Sequence, residues 1–518
     1  MRLGQIRAVL PQVDVLQTAG LSSREGLRVR GIAYDSRRTM PGDLFVAIPG
    51  ARANGLDFVA DAVRAGAAAV VVDRNVAPAR ARAEAGPGVL LLQVPDAREA
   101  LARLAHAFHR QPSRKLDVIA VTGTNGKTTT AKMVQSILVE AGRHPAFFGT
   151  IGYEIGSRRL PAPNTTPASA DLARLLREAV AEGHDAAVME ASSHAMMQHR
   201  LTGVRLRAAA FTNLSRDHQE YHGDMESYFR AKRHLFEMLP PEAVAAVQVA
   251  DPAGRRLADF VHRRGLALTT CGTEDAAVRA EQPRYDARGS RFYLRTPAGG
   301  REVRCEMPGP FNVANAVTAA AVAAALGTGL DAIAAGIERL PPVPGRMERF
   351  VVPDAPAVVV VDYAHTHVAL TNALLALAEA RRQERAPGRL TVVFGCGGDR
   401  DPGRRPRMGR VAAEHADRVI VTSDNPRSED PHTIIRDILR GVAPGRDVEV
   451  EPDRRRAIRK AVCEAGAGDV VLVAGKGHED YQILGDVTVP FDDRVEVLKA
   501  IEERTGSAVA AAPALPGG

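Results

Sequence analysis

No stretch of the 518 residues approaches the roughly 18 uncharged apolar residues of a membrane-spanning helix, so no membrane insertion is expected. Pro11, Gln12 and Asp14 interrupt any apolar leader after Arg2 and Arg7, and a cytoplasmic location is expected. The four cysteines, Cys271, Cys305, Cys396 and Cys463, are too far apart to suggest a C-x-x-C metal motif or a dense disulfide framework. No lysine–arginine block marks a nucleic-acid tail. The 68 Lys and Arg exceed the 61 Asp and Glu by 7, a mild excess spread along the chain, and no nucleic-acid partner is expected. A pI near 9.4 suits small anionic substrates equally well. What remains is ordinary soluble globular composition, 45% hydrophobic and 25% charged, in a length that suits roughly three or four domains.

One stretch organises the rest. The apolar run Val118-Ile119-Ala120-Val121 ends in Thr122-Gly123-Thr124-Asn125-Gly126-Lys127-Thr128-Thr129-Thr130, and Ala131 to Leu138 then reads as a helix. In this strand–loop–helix arrangement, glycines let backbone N–H groups turn toward a polyphosphate at a helix N-terminus. Lys127 reaches the terminal phosphates and the Thr128 hydroxyl is suited to Mg2+. The strict G-x-x-x-x-G-K-[ST] pattern wants glycine where this chain has Val121. ATP is the predicted ligand.

The chain reads as α/β throughout, in three domains. Residues 1–112 alternate short apolar runs (Leu44 to Ile48, Ala68 to Val72, Val89 to Leu92) with helical patterns at Phe58 to Ala65 and Ala97 to Phe108. The polar turn Tyr34-Asp35-Ser36-Arg37 could contact a ligand. A break at Arg110 to Lys115 introduces a central P-loop domain, residues 113–340, whose uniformly apolar strands Ala186 to Met189 and Ala208 to Phe211 suit a mostly parallel sheet covered on both faces. Polar clusters follow these strands at the carboxyl edge, where open α/β sheets bind ligands: Glu190 to His194 and Thr212 to His218. Glu190 and His218 are plausible magnesium ligands there. Lys232, in a helical stretch, reads by default as a solvated lysine.

After a linker at Leu340 to Gly345, residues 341–506 read as a third α/β domain. Four more strands there lead into Asp362 to His365, Gly395 to Arg400, Asp424 to Arg427 and Gly475 to Glu479. Residues 507–518, rich in Ala, Pro and Gly, are expected to be a disordered tail.

The loop Gly123 to Thr128 resembles that of the Mur ligases and the related folylpolyglutamate synthetases. Further segments are similar to the Mur ligases that add the third residue of the peptidoglycan stem peptide. These are Asn164-Thr165-Thr166-Pro167, Glu190 to Arg200, Asn213 to Met225, Asp362 to Thr366, Cys396 to Asp401, Asp424 to Arg427 and Gly475 to Gln482. The match runs in order over nearly the whole chain. It implies an N-terminal UDP-sugar-binding domain, a central P-loop ATP-binding domain and a C-terminal, Rossmann-like amino-acid-binding domain. By the same resemblance, ATP phosphorylates the carboxylate of UDP-N-acetylmuramoyl-L-Ala-D-Glu and an incoming amine displaces phosphate; a monomer is expected.

Residue by residue, the resemblance implies that Gly123, Thr124, Asn125, Gly126, Lys127, Thr128 and Thr129 serve ATP, with Asn312 and Asn315 holding adenine. Arg346, Asp362 and His365 would close on ATP from the third domain. Thr128, Glu190 and His218 would hold metal beside Lys232, which matches a carbamylated lysine, and Lys127, Lys232, His218 and Glu190 would carry the catalysis. A buried neutral amine can add CO2 and become an oxygen ligand. Ser36, Thr165, Thr166, Ser192, Gln198 and Arg200 would hold the UDP-sugar peptide. Arg400, Asp424, Asn425, Arg427, Gly475 and Glu479 would hold meso-diaminopimelate. Its far carboxylate pairs bidentately with a guanidinium, whereas lysine leaves Arg427 unpaired.

Three departures stand against the family pattern: His367 for a usual proline, Glu220 for a common aspartate and Ala51 for a substrate-contacting histidine. The alternatives are a lysine-adding or folylpolyglutamate-type ligase and, in another class, a P-loop switch whose ATP turnover answers to a macromolecule. A non-catalytic UDP-sugar-binding protein would have no need of Lys127 or a metal cluster.

Overall fold

The computed structural model describes residues 1–18, 28–50, 53–217, 219–286, 289–383 and 388–506, the side chains of Gln219, Glu220 and Gln383 excepted. Ala51, His218 and the expected tail at 507–518 lie outside the described residues, as does the side chain of Glu220.

The strand ending in the phosphate loop, Asp117–Thr122, lies inside an eight-stranded sheet, between Leu206–Phe211 and Ala186–Glu190. Both pairings are parallel, in a register that sets Glu190 beside Val121 and Phe211 beside Thr122. The loops leaving all three strands therefore open on one edge. Alternate side chains of the central strand enter separate cores. Ile119 and Val121 pack under the phosphate-loop helix Lys127–Glu140, while Val118 and Ala120 pack against the opposite layer of helices. This explains the continuous apolar reading of these strands.

A smaller five-stranded sheet, in the order Asp14–Gln17, Leu90–Val94, Ala69–Asp73, Leu44–Val46, Ile32–Ala33, precedes it. A six-stranded sheet follows, with Ala357–Asp362, Val470–Ala474, Leu390–Phe394 and Arg418–Val421 as its parallel centre. Glu348–Val352 closes one edge antiparallel. The α/β fold agrees with expectation, with additions. Gly152–Ile155 and Arg158–Leu160 extend the central sheet antiparallel, and Arg279–Asp286, Gly289–Thr296 and Gly299–Cys305 form a separate antiparallel sheet.

The break at residues 110–115 has local structure of its own. It holds a short 3-10 turn, Pro112–Arg114, with Pro112 and Ser113 buried and the Ser113 hydroxyl accepting from the Arg205 amide at 3.0 Å. All four cysteines are free. Among the described residues no helix is long and apolar enough to cross a membrane.

Candidate active site

Gly123 (φ 151°) and Gly126 (φ 82°) shape the phosphate loop. Backbone of this hand favours glycine, and space demands it too: an added Cβ would lie 1.9 Å from the Thr212 hydroxyl at the first and 2.2 Å from Asn315 Oδ1 at the second. The loop is braced by the turn after the neighbouring strand. Asn213 Oδ1 accepts from the Asn125 amide at 3.0 Å, and Thr212 Oγ1 donates to the Asn125 carbonyl at 2.7 Å. Lys127 opens the helix and its Nζ folds back onto the carbonyls of Gly123 (3.0 Å) and Thr124 (2.8 Å). Burial holds its pKa below the usual lysine value, with Glu190 and Asp217 pulling the other way.

Glu190 ends its strand with the carboxylate buried. Oε1 accepts from the Thr150 amide at 2.7 Å, and Oε2 accepts from the hydroxyls of Thr128 and Thr150, each at 3.0 Å. Gly149 makes this approach feasible, since a Cβ there would lie 2.4 Å from Oε1. Sequence reading passed over Thr150.

Lys232 lies on the helix Met225–Glu237 in register with the apolar face formed by Tyr228, Leu235 and Phe236. It is 1% exposed, not the solvated lysine that local sequence suggests. Its ammonium stands 4.3 Å from the Tyr228 ring centroid and donates to the Gly123 carbonyl at 2.7 Å. Two lysines thus converge on one carbonyl oxygen. Desolvation, then repulsion from Lys127, drives the Lys232 pKa well below the lysine range, opposed by Asp217. The donors fit the expected groups: a hydroxyl and a carboxylate offer hard oxygens for Mg2+, and a buried amine whose proton affinity is lowered fits carbon dioxide.

From the turn just before Glu348–Val352, Arg346 reaches this point. Its Nη2 donates to Thr128 Oγ1 at 3.3 Å and its guanidinium lies 4.5 Å from the Tyr363 ring centroid, while Nε is buried without a partner among the described residues. Asp362 accepts the Met347 amide at 2.8 Å; burial raises its pKa and Arg346 lowers it. His365 Nδ1 lies 2.8 Å from the Tyr363 carbonyl oxygen, and burial depresses its pKa. Asn315 and Asn312 come to the phosphate-loop helix from Pro310–Ala325: Thr130 Oγ1 donates to Asn315 Oδ1 and Asn315 Nδ2 to Asn312 Oδ1, both at 3.3 Å. His367 leaves the neighbouring turn intact. It is the first residue of the helix His367–Gln383, where proline is also favoured, and Thr366 Oγ1 accepts from the Ala369 amide at 3.2 Å.

Thr166, Ser192, Gln198 and Arg200 form one network beside Glu190. Thr166 Oγ1 donates to the Glu190 carbonyl (2.8 Å) and accepts from the Ser192 amide (3.1 Å). Arg200 donates to the Thr166 carbonyl (2.6 Å) and to Gln198 Oε1 (2.8 Å). Thr165 meets Thr150 at 3.2 Å. Ser36 opens a 3-10 turn next to Tyr34, whose hydroxyl donates at 2.5 Å to Asp171 on the helix that follows these threonines.

A second polar pocket forms where the loops after Leu390–Phe394, Arg418–Val421 and Val470–Ala474 meet. Arg427, with φ 53°, pairs its backbone with the turn at 483–485, and its Nη1 donates to the Gly398 carbonyl at 2.7 Å. Gly397 leaves room for Arg427 beside Arg400, which is exposed on the rim. Asp424, Asn425 and Glu479 face one another around Lys476, a fully buried cation that the sequence reading left without a role. Arg454 and Asp493 hold the pocket's shoulders. Their 2.7 Å bidentate pair is fully buried, and the guanidinium also donates to the carbonyls of Ala474 and Ser423, just before Gly475 and Asp424. Asp493→Asn is expected to destabilise the protein by about 3–5 kcal/mol, because it strands a buried guanidinium. Urea unfolding measures this; a loss below about 1 kcal/mol would show that the pair is dispensable.

The chain matches three family descriptions in order: Mur ligase family, catalytic domain (residues 28–109), Mur ligase middle domain (121–323) and Mur ligase, glutamate ligase domain (345–477). It is 43% identical to the UDP-N-acetylmuramoyl-L-alanyl-D-glutamate–2,6-diaminopimelate ligase of Gloeobacter violaceus, over 95% of this chain and 98% of that one. The enzyme of the same name from Solibacter usitatus is 45% identical, over 91% and 94%. A solved structure of a UDP-N-acetylmuramoyl-L-alanyl-D-glutamate–2,6-diaminopimelate ligase superposes with a TM-score of 0.67 at 32% identity, covering 96% of this chain and 99% of that one. The chain belongs to the Mur ligase family.

Proposed function

We propose that this enzyme joins meso-diaminopimelate to UDP-N-acetylmuramoyl-L-Ala-D-Glu with hydrolysis of ATP to ADP and phosphate. The observation that carries the reading is the meeting of Thr128, Glu190 and Arg346 beside two lysines that share the Gly123 carbonyl. Amide formation from a carboxylate and an amine is uphill in water, so the carboxylate oxygen must first become a leaving group. The γ-phosphoryl group passes to that oxygen, the amine attacks the acyl carbon, and the tetrahedral intermediate expels phosphate.

Lys127 moves from the carbonyls of Gly123 and Thr124 onto the phosphates, and Arg346 adds a second cation as charge spreads over the transferred group. Mg2+ held by Thr128 and Glu190 would supply further charge neutralisation. Lys232 would hold a carbamate: its amine would form an N–C bond to carbon dioxide with loss of one proton, supplying an oxygen ligand and keeping an N–H for the Gly123 carbonyl. Thr166, Ser192, Gln198 and Arg200 orient the nucleotide-sugar peptide, and the pocket around Arg427 orients the amino acid.

With ATP, Mg2+ and the UDP-sugar dipeptide present, phosphate release is expected to be far faster with meso-diaminopimelate than with L-lysine. Release with lysine alone would reject the specificity. Release with neither would reject the reaction.

A further inference from the structure

We propose that Lys476 is a positioning residue that sets both the geometry and the net charge of the amino-acid pocket; the proposal rests on the reading of that pocket given above. Lys476 is 0% exposed and stands between two glycines in left-handed backbone, Gly475 (φ 118°) and Gly477 (φ 55°). That backbone turns the side chain into the pocket's wall, with the ammonium 5.4 Å from the Tyr481 ring centroid.

Its Nζ donates to Asn425 Oδ1 at 3.2 Å and to Glu479 Oε2 at 3.1 Å, and stands 3.6 Å from Asp424 Oδ1. The consequences are directional. Asn425 Oδ1 is held by two donors, Lys476 and the Ile483 amide at 3.0 Å, so its Nδ2 must point away, and it donates to Glu479 Oε2 at 3.0 Å. Lys476 thereby fixes which way the Asn425 amide faces and where the Glu479 carboxylate lies. Asp424 Oδ1 is buried and accepts no hydrogen bond from the described residues.

The charge count follows from the same contacts. Asp424 and Glu479 are two carboxylates, Lys476 offsets one, and Arg454, a buried cation nearby, is already paired bidentately with Asp493. One negative charge remains, matched to one substrate ammonium, while Arg427 waits for a carboxylate. Without Lys476, two carboxylates would face each other with no cation between them, and Asn425 would be free to flip.

Lys476→Met is expected to raise KM for diaminopimelate at least about thirtyfold while lowering kcat less than tenfold. KM values for ATP and the UDP-sugar dipeptide should stay within threefold. Hydroxylamine trapping of the acyl phosphate, measured without amino acid, should match the parent. The double variant Lys476→Met/Glu479→Gln removes one charge of each sign; it serves if the single variant fails to fold, and is expected still to bind diaminopimelate weakly. An unchanged diaminopimelate KM in either folded variant would overturn the proposal, as would an equal loss in acyl-phosphate trapping. Failure of the parent enzyme with diaminopimelate would instead overturn the substrate reading, and the series is read with whichever amino acid the parent consumes.

Discussion

Lys232→Ala is expected to lower kcat by roughly a thousandfold or more, the scale on which a charged group aligned with a transferring phosphoryl group acts. The thermal midpoint should move far less, because the variant also removes an amine that burial disfavours, and the Gly123 carbonyl keeps Lys127 as a donor. Lys232→Arg should be as inactive as alanine, since a guanidinium stays charged and does not add carbon dioxide. Short carboxylic acids should partly restore Lys232→Ala and leave Lys232→Arg unchanged.

The pH dependence has a definite sign. The folded-state pKa of Lys232 lies well below that of the unfolded chain, so between the two values the native state binds fewer protons. Its contribution to stability therefore rises with pH through that window and is lost as pH falls. The fraction of reactive amine falls in the same direction, so the gain from added bicarbonate should be largest on the acid side of the activity profile. Activity profiles in carbon-dioxide-depleted and bicarbonate-supplemented buffer measure this. Undiminished activity of Lys232→Ala, or of Lys232→Arg, would remove the carbamate from the mechanism.

The phosphate loop was legible because everything that makes it is local: an apolar strand, two glycines and Gly126-Lys127-Thr128 at a helix start. The burial of Lys232 was half legible. Its spacing from Tyr228, Leu235 and Phe236 puts it on the apolar face of its helix, a signal that outweighs the usual solvation of lysine. Thr150 and Lys476 were hidden because their roles depend on partners 40 and 51 residues away in sequence, Glu190 and Asn425. Arg454 and Asp493 gave no local sign of meeting, since charges on two separate helices read as solvated faces. The antiparallel sheet of Arg279–Cys305 escaped for another reason. Its strands mix charged residues with β-formers, because one face lies toward solvent while Phe292, Leu294 and Val303 enter the core.

Arg427→Ala is expected to cut kcat/KM for meso-diaminopimelate by about 10²–10⁴-fold, the equivalent of two charge-assisted hydrogen bonds at about 1.5–3 kcal/mol each. The same variant should leave the low activity with L-lysine nearly unchanged, or raise it, because lysine never used the guanidinium and no longer strands it. Arg427→Lys should recover only part of the loss. An ammonium supplies charge without the planar fork, and the left-handed backbone at φ 53° together with the Gly398 contact positions a fork. KM for ATP and for the UDP-sugar dipeptide should hold, since the phosphate loop and Thr166 network lie on the central sheet and Arg427 on the third. Competition between the two amino acids in one reaction gives the ratio directly. If that ratio is unmoved in Arg427→Ala, selection of the far carboxylate falls to another cation on the pocket rim, and exposed Arg400, brought beside Arg427 by Gly397, is the residue to replace next.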